Sequence, residues 1–407
     1  MHRQAVIFIF ITVLVDSIGF GIVIPVMPAL LMQVAGADIS HAAYWGGALW
    51  FAYALTQFFG APLAGNLSDR FGRRPILLCA LAALGIDYLI MGIAPTVSVL
   101  IVGRLIAGAA GSTYSTANAY VADISNDDNR TQNFGLIGAA FGGGFILGPA
   151  IGGFLGEFGP RVPFFAAAVL SLLNVLYGIF VLRESLALKD RRPFDWRRAN
   201  PLGALVHLRS NPAVFGLAVA LFLYMLGHYS LPATWSFYVI EKFNWSEADV
   251  GLSLSYVGVL MVAVQAGLIR VLIPKLGPSK AGILGMVLMA VSFLGYALSA
   301  YGWQMYLWMT VASLAGLVMP SYQSAMTSQV EANSQGELQG AIAILTSITT
   351  IIGPVLMTQL FGYFTSPSVP LYLPGAPFLM ASLLTVCALG LFILVIGKAP
   401  QPVQAKP

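Results

Sequence analysis

Asp16, Asp87 and Arg104 are the residues of this chain best placed to do chemistry, because each is an ionic group inside a long apolar run. A charge facing lipid costs several kcal/mol, so such groups turn inward, pair, or titrate. Asp16 falls about 10 residues into its run, hence about 15 Å deep. Asp87 lies at similar depth in a second run, and Arg104 in the outer half of another. The chemistry on offer is protonation of Asp16 and Asp87, or contact with a cation, with Arg104 setting their pKa values. The structural alternative is a static salt bridge. His228, alone among aromatics, is either a proton carrier or a packing residue. No phosphate loop, nucleophile triad or metal-ligand spacing occurs. Cys79 and Cys387 lie far apart in apolar runs and suggest neither a disulfide framework nor a metal site. The expectation is a protein that is not an enzyme, with no catalytic residues, no metal and no cofactor.

The elements that must position these groups follow from composition. Of 407 residues, 58% are hydrophobic and 9% charged, against about 25% charged in a soluble domain. Apolar runs of roughly 20 residues, enough for a helix to cross a bilayer, recur about twelve times. They run Val6 to Met32, Tyr44 to Leu67, Ile76 to Ala94, Val97 to Asp123, Phe134 to Gly156 and Pro163 to Leu182. After a polar stretch come Val214 to Val239, Val250 to Ile273, Ala281 to Ala300, Met305 to Gln329, Leu338 to Tyr363 and Ala376 to Ile396. The runs are apolar all round, where a barrel would alternate. The fold class is therefore all-α and integral to the membrane: twelve transmembrane helices in two six-helix bundles. Residues 1–185 and 212–407 form the bundles, and 186–211 a cytoplasmic linker.

Basic residues stay in the cytoplasm. With an internal N-terminus, 17 of the 20 Lys and Arg fall inside, including Arg183, Lys189, Arg191, Arg192, Arg197, Arg198, Arg209 and Lys406. Both termini are expected inside. The chain also repeats at an offset of 205 residues: Gly72 with Gly277, Gly111 with Gly316, Gly135 with Gly340, Gly148-Pro149 with Gly353-Pro354, and Asn118 with Gln323. Duplicated six-span units place a substrate site between the repeats near the midplane.

The loop after span two reads Gly65-Asn66-Leu67-Ser68-Asp69-Arg70-Phe71-Gly72-Arg73-Arg74-Pro75. Asp69 can accept from helix N-terminal amides, and Arg70, Arg73 and Arg74 can donate to Asp123 or to lipid phosphates. The repeat-related position of Asp69 is Pro274, so a latch formed by Asp69 would be one-sided. This pattern resembles the major facilitator superfamily. Span five carries Gly144, Gly148, Gly152 and Gly156 every four residues, with Pro149 and Gly153 beside them. That face lets two backbones approach closely, and it is expected to meet a helix of the second half. It is similar to the antiporter motif of drug-proton exporters in the same superfamily.

Together with Gly103-Arg104-Leu105, Tyr120 to Asp123, Leu231 to Trp235 and Leu338-Gln339-Gly340, these stretches resemble the bacterial tetracycline-proton antiporters over nearly the whole chain. The resemblance implies a monomeric transporter of the bacterial inner (plasma) membrane that exchanges a small amphipathic drug for protons by alternating access, with Asp16, Asp87 and Arg104 in coupling. Its partners are substrate, protons and the lipid bilayer, with no nucleic acid. The chain departs from those exporters in the second half: span nine has no charged residue and span eight no histidine. Candidate substrate contacts are Gln57, Tyr114, Asn118, Tyr224, His228, Trp235, Gln265, Tyr322 and Gln323, each equally able to hold helices together. Two other readings stay open: a metabolite exporter or uptake symporter on the same scaffold, and a non-transporting membrane receptor. The intramembrane charges speak against the receptor.

Overall fold

The computed structural model describes residues 2–195, 212–330 and 335–398. Arg197, Arg198, Arg209 and Lys406, and most of the expected linker, lie outside the described residues. Every regular element among the described residues is helical. In chain order these are α1 (His2–Val23), α2 (Met27–Ala35), α3 (Ile39–Phe71), α4 (Arg73–Ile93), α5 (Val97–Ala110), α6 (Thr113–Ile124), α7 (Arg130–Gly156) and α8 (Val162–Val181). They continue with α9 (Pro212–His228), α10 (Ser230–Phe243), α11 (Glu247–Ala263), α12 (Ile269–Leu276), α13 (Pro278–Leu298), α14 (Trp303–Ser313), α15 (Val318–Thr327), α16 (Gln335–Thr365) and α17 (Ala376–Lys398).

Among the described residues, ten helical stretches are long and apolar enough to cross a membrane. The expected second span falls on the less apolar α3, 33 residues long. The expected tenth falls on α14 and α15, joined by a short 3-10 turn at Leu314–Leu317. Local chemistry sets the ends. Asp38 caps α3, its carboxylate accepting the His41 backbone N–H at 3.0 Å and the Ser40 hydroxyl at 2.8 Å. Gly72 and Gly277, the repeat-related pair, take φ +105° and +78°, conformations that favour glycine. Each closes one helix and opens the next: the Gly72 N–H donates to Ser68 O and the Gly277 N–H to Ile273 O.

The chain divides into two compact units, Met1–Pro201 with Val239–Gly258, and Leu202–Tyr238 with Val259–Pro407. The core of the first unit joins Phe8, Ile9 and Val13 of α1 to Leu77 and Leu81 of α4, Tyr120 and Val121 of α6, and Ile137 and Ala140 of α7. In the second, Phe378 of α17 stacks against Phe293 and meets Trp235, Tyr238 and Tyr296 edge-on or tilted. The division departs from the sequence repeat at Val239–Gly258. The reason is close packing of α11 on α7: a Cβ on Gly251 would collide with the Pro149 carbonyl, and the Ser255 hydroxyl donates to Ile146 O at 2.6 Å.

Candidate functional site

In the first unit Asp87 and Arg104 form a buried ion pair. Asp87 is fully buried and Arg104 is 8% exposed. The Arg104 Nε donates to Asp87 Oδ1 at 3.3 Å, and its Nη2 meets Oδ2. Glycine at 103 makes room, since a Cβ there would lie 2.7 Å from Asp87 Oδ1. The guanidinium also stands over the Tyr53 ring at 5.6 Å, and Gln57 Nε2 donates to the Tyr53 hydroxyl and to Gly111 O, each at 3.2 Å. Two residues singled out by sequence, Asp87 and Gln57, are thus linked through Arg104 and Tyr53. Tyr53 had no sequence signal beyond being aromatic. Close helix approach makes the arrangement possible: a Cβ on Gly60 of α3 would strike the Ala109 carbonyl of α5, and one on Gly108 the Tyr53 carbonyl.

Asp16 does not join that pair. Its Oδ1 is buried with no hydrogen-bond partner, while the residue as a whole is partly exposed. A charge without a partner in an apolar interior is costly.

The loop after span two forms a compact ionic cluster. Arg73 Nη1 donates to Asp69 Oδ1 at 2.5 Å and to the Ser68 hydroxyl at 2.7 Å, and Arg73 Nε donates to Asp123 Oδ2 at 3.1 Å. Arg74 Nη2 donates to Ile179 O at 2.6 Å, and Arg70 lies over the Phe71 ring. The helix N-terminal amides anticipated for Asp69 go elsewhere: Arg73 N–H and Arg74 N–H donate to Glu184. Asp69 instead contributes its backbone carbonyl, which accepts the Arg192 N–H at 3.1 Å. Ser185 donates to Asp123 at 2.9 Å, and Asn66 exchanges two hydrogen bonds with the Asp195 backbone. The segment 184–195 is therefore part of this cluster. The sequence places 184–185 at the end of the first bundle and 186–195 in the linker, with nothing to tie either to this loop. Gly65 sits in open space.

The glycines of α7 divide between two partners. A Cβ on Gly144 would lie 2.8 Å from Leu14 O, one on Gly148 2.6 Å from Ile18 O, and one on Gly152 would strike Ile22 O, all on α1. It is Gly153 that meets Glu247 and Ala248 of α11, while Gly156 meets both Val26 and Glu247. The period of four lines up a face against α1, a helix of the same half. Pro149 is buried beside Gly21, whose Cβ would lie 2.8 Å from its Cδ.

The remaining substrate candidates fall in both units. In the first, exposed Tyr114 packs edge-on with Phe141, and Asn118 is partly exposed. In the second, exposed His228 stacks on Tyr224, which neighbours Tyr322. Gln265 lies in a π-helical turn at Val264–Leu268 and is exposed, as is Gln323. Trp235 is only 2% exposed and is held in the Phe378 aromatic cluster, a packing role.

A family model described as Major Facilitator Superfamily matches residues 9–354. The class C tetracycline resistance protein of Escherichia coli is 39% identical over 359 residues, covering 88% of this chain and 90% of that protein. The class G protein of Vibrio anguillarum is 35% identical, covering 88% and 91%. The crystal structure of a human organic anion transporter, 24% identical, superposes with a TM-score of 0.69 over 96% of this chain and 99% of that one, and shares the fold.

Proposed function

Because this chain belongs to the major facilitator superfamily, a family of membrane transporters rather than enzymes, we propose that it exports a small amphipathic drug of the tetracycline class in exchange for protons, by alternating access. The observation that carries this is the pairing of Asp87 with Arg104 in the same unit as a partly exposed Asp16 whose buried Oδ1 has no partner. One acid is neutralised in place and the other is free to titrate, which suits a carrier that must load and release a proton in each cycle. The relatives named for tetracycline resistance support the substrate class.

In this reading Asp69, Arg73 and Asp123 hold a cytoplasmic gating loop, with Gly65, Arg70, Gly72 and Arg74 shaping it. Gly144, Gly148, Pro149, Gly152 and Gly153 let α7 approach its neighbours. Gln57, Tyr114, Asn118, His228, Gln265 and Gln323 are the polar groups offered to substrate. The protein works as a monomer in the bacterial inner membrane with both termini cytoplasmic. The bias of basic residues supports that orientation.

The test is reconstitution in proteoliposomes with an imposed pH gradient. Tetracycline should move against the proton flow, and a protonophore should abolish its accumulation. Tetracycline flux that ignores the gradient, or none at all, overturns the proposal. A different amphipathic drug is the second reading. It is favoured by α13, the helix of span nine, which carries no acid, its one charged residue being the basic Lys280 at its start. Proton flux evoked by another drug but not by tetracycline would select it.

A further inference from the structure

Where α1, α4 and α8 meet, the first unit contains polar atoms that no ion pair or motif accounts for. Thr12 Oγ1, Asp16 Oδ1, Tyr88 Oη, Ser171 Oγ and Asn174 Oδ1 are all buried without a hydrogen-bond partner. Tyr88 and Ser171 are each 1% exposed, Asn174 4% and Thr12 0%. Leaving one such group unpaired in an apolar interior typically costs about 1–3 kcal/mol, so five in one protein interior call for an explanation.

They form one seam. Thr12, Asp16 and Gly19 are spaced i, i+4, i+7 and share one face of α1. Ser171 and Asn174, three apart, share one face of α8. Asn174 Nδ2 donates to Thr12 O at 3.1 Å, which fixes the lower end. At the upper end a Cβ on Gly19 would lie 3.5 Å from Tyr88 Oη and 3.7 Å from Ser171 Oγ, so both hydroxyls converge on that glycine. The seam follows α1 for about 10 Å, with Asp16 between its ends.

We propose that Tyr88, Ser171, Asn174 and Thr12 form a proton relay, completed by bridging water, that loads and unloads Asp16. Hydroxyl groups suit this because each donates one proton and accepts another. As a proton from one relay oxygen forms the O–H bond on the Asp16 carboxylate, that oxygen takes the next proton along the chain. Each oxygen keeps its charge, and the only co-reactant is the proton of bulk water. Asn174 accepts through Oδ1 and orients the bridge, since its Nδ2 is already engaged. Buried polar groups with unmet hydrogen bonds are where ordered water collects in protein interiors.

Other ionisable groups around α1 are few. On α7 there is Arg130, in the first turn; on α8 there is Tyr177, stacked on Phe8. On α6 there are Tyr114, Tyr120, whose hydroxyl donates to Arg183 O, and Asp123, held by Arg73 and Ser185. Tyr53 on α3 sits under Arg104, and Asp87 on α4 is paired with Arg104. None of these acids or bases is recorded in a hydrogen bond or ion pair with Asp16, whose buried Oδ1 lies on the α1 face of the seam.

This inference deepens the proton-exchange reading and rests on it. The full-length protein carries the test in two arms. The first is pH-difference infrared spectroscopy of the purified chain, with the Asp16 carboxyl band identified by its loss in Asp16→Asn. Tyr88→Phe and Ser171→Ala should each move the pH at which half of that band is lost by about 0.5 or more. The second compares pH-driven tetracycline transport with tetracycline counterflow, which needs no net proton movement. Both variants should keep counterflow within about twofold of wild type and lose pH-driven transport by about tenfold, the loss that 1.4 kcal/mol of missing stabilisation gives. An unmoved infrared band in both variants overturns the relay, as does an equal fall in counterflow and driven transport, which marks a packing role. Absence of driven transport in the wild type would instead strike the function proposed above, and the infrared arm would still decide whether Asp16 feels the seam.

Discussion

The carboxylate of Glu184, just beyond the end of α8, accepts the backbone N–H of Arg73 at 2.8 Å and that of Arg74 at 3.3 Å, in the first turn of α4. Those amides have no partner within their own helix. A negative charge at that end also meets the positive pole of the helix dipole. Gly72 permits the contact, because a Cβ there would lie on the Glu184 carboxylate. Glu184→Ala should therefore lower stability by about 1 kcal/mol, with Glu184→Gln falling between it and wild type because an amide oxygen still accepts. Thermal unfolding of the purified protein in detergent measures this. Melting temperatures equal to wild type in both variants would mean the contact contributes nothing.

A different response is expected from the buried ion pair. Removing one partner leaves an uncompensated charge, at about 3–5 kcal/mol, whereas replacing both costs little. Asp87→Asn alone should lower the yield and melting temperature of the protein. Asp87→Leu combined with Arg104→Met should recover much of the melting temperature but not drug transport. Recovery of transport in the double variant would make the pair purely structural.

The sequence made the ionic centre legible for a simple physical reason. Asp16, Asp87 and Arg104 are expensive in an apolar run, so their presence alone marked them, and the short loop Asp69–Arg74 carried its own pattern. Partners distant along the chain were not legible. Glu184 reaches Arg73 across 111 positions, from the border between the first bundle and the linker. The period of four in α7 announced a close backbone contact but not which helix would fill it. Gly144, Gly148 and Gly152 lie on α1, and only Gly153 and Gly156 reach α11. Trp235 looked available to a ligand, yet it is 2% exposed and packs edge-on against Tyr296 and Phe378. The seam of Tyr88, Ser171 and Asn174 left no mark, because hydroxyls and amides are common in helices of any kind.

At the start of α3, acid should weaken the cap formed by Asp38. Its carboxyl lies below the ordinary aspartate range, chiefly because the His41 backbone N–H donates to it; burial opposes this, and the His41 and Ser40 side chains add to the lowering. A folded pKa below the unfolded one lends stability above about pH 4, and that stability is lost as pH falls through the folded value. Asp38 is exposed, so the gain is small, about 0.5 kcal/mol. The melting difference between wild type and Asp38→Ala should be present near pH 6 and shrink on approach to about pH 3. A difference that stays constant over that range would assign the cap to shape rather than charge.

The contact between α1 and α7 gives the sharpest prediction. A Cβ on Gly148 would lie 2.6 Å from the Ile18 carbonyl oxygen and 2.8 Å from Gly21 Cα. Both are backbone atoms and cannot rotate aside, so even a methyl group must displace α1. That displacement reaches Asp16, two residues before Ile18. Overpacking of this kind typically costs about 1–3 kcal/mol. Gly148→Ala should lower the melting temperature and slow drug transport, and Gly148→Leu should abolish transport. Gly138, on the same helix with nothing within 4 Å of its would-be Cβ, is the matched control. Alanine there removes a flexible glycine from a helix without a clash, which favours the helix by up to about 1 kcal/mol. Gly138→Ala should thus melt at or above the wild-type temperature and transport normally. If Gly148→Ala behaves like Gly138→Ala in both measurements, α1 and α7 are not in backbone contact at this level, and the glycine face of α7 serves another partner.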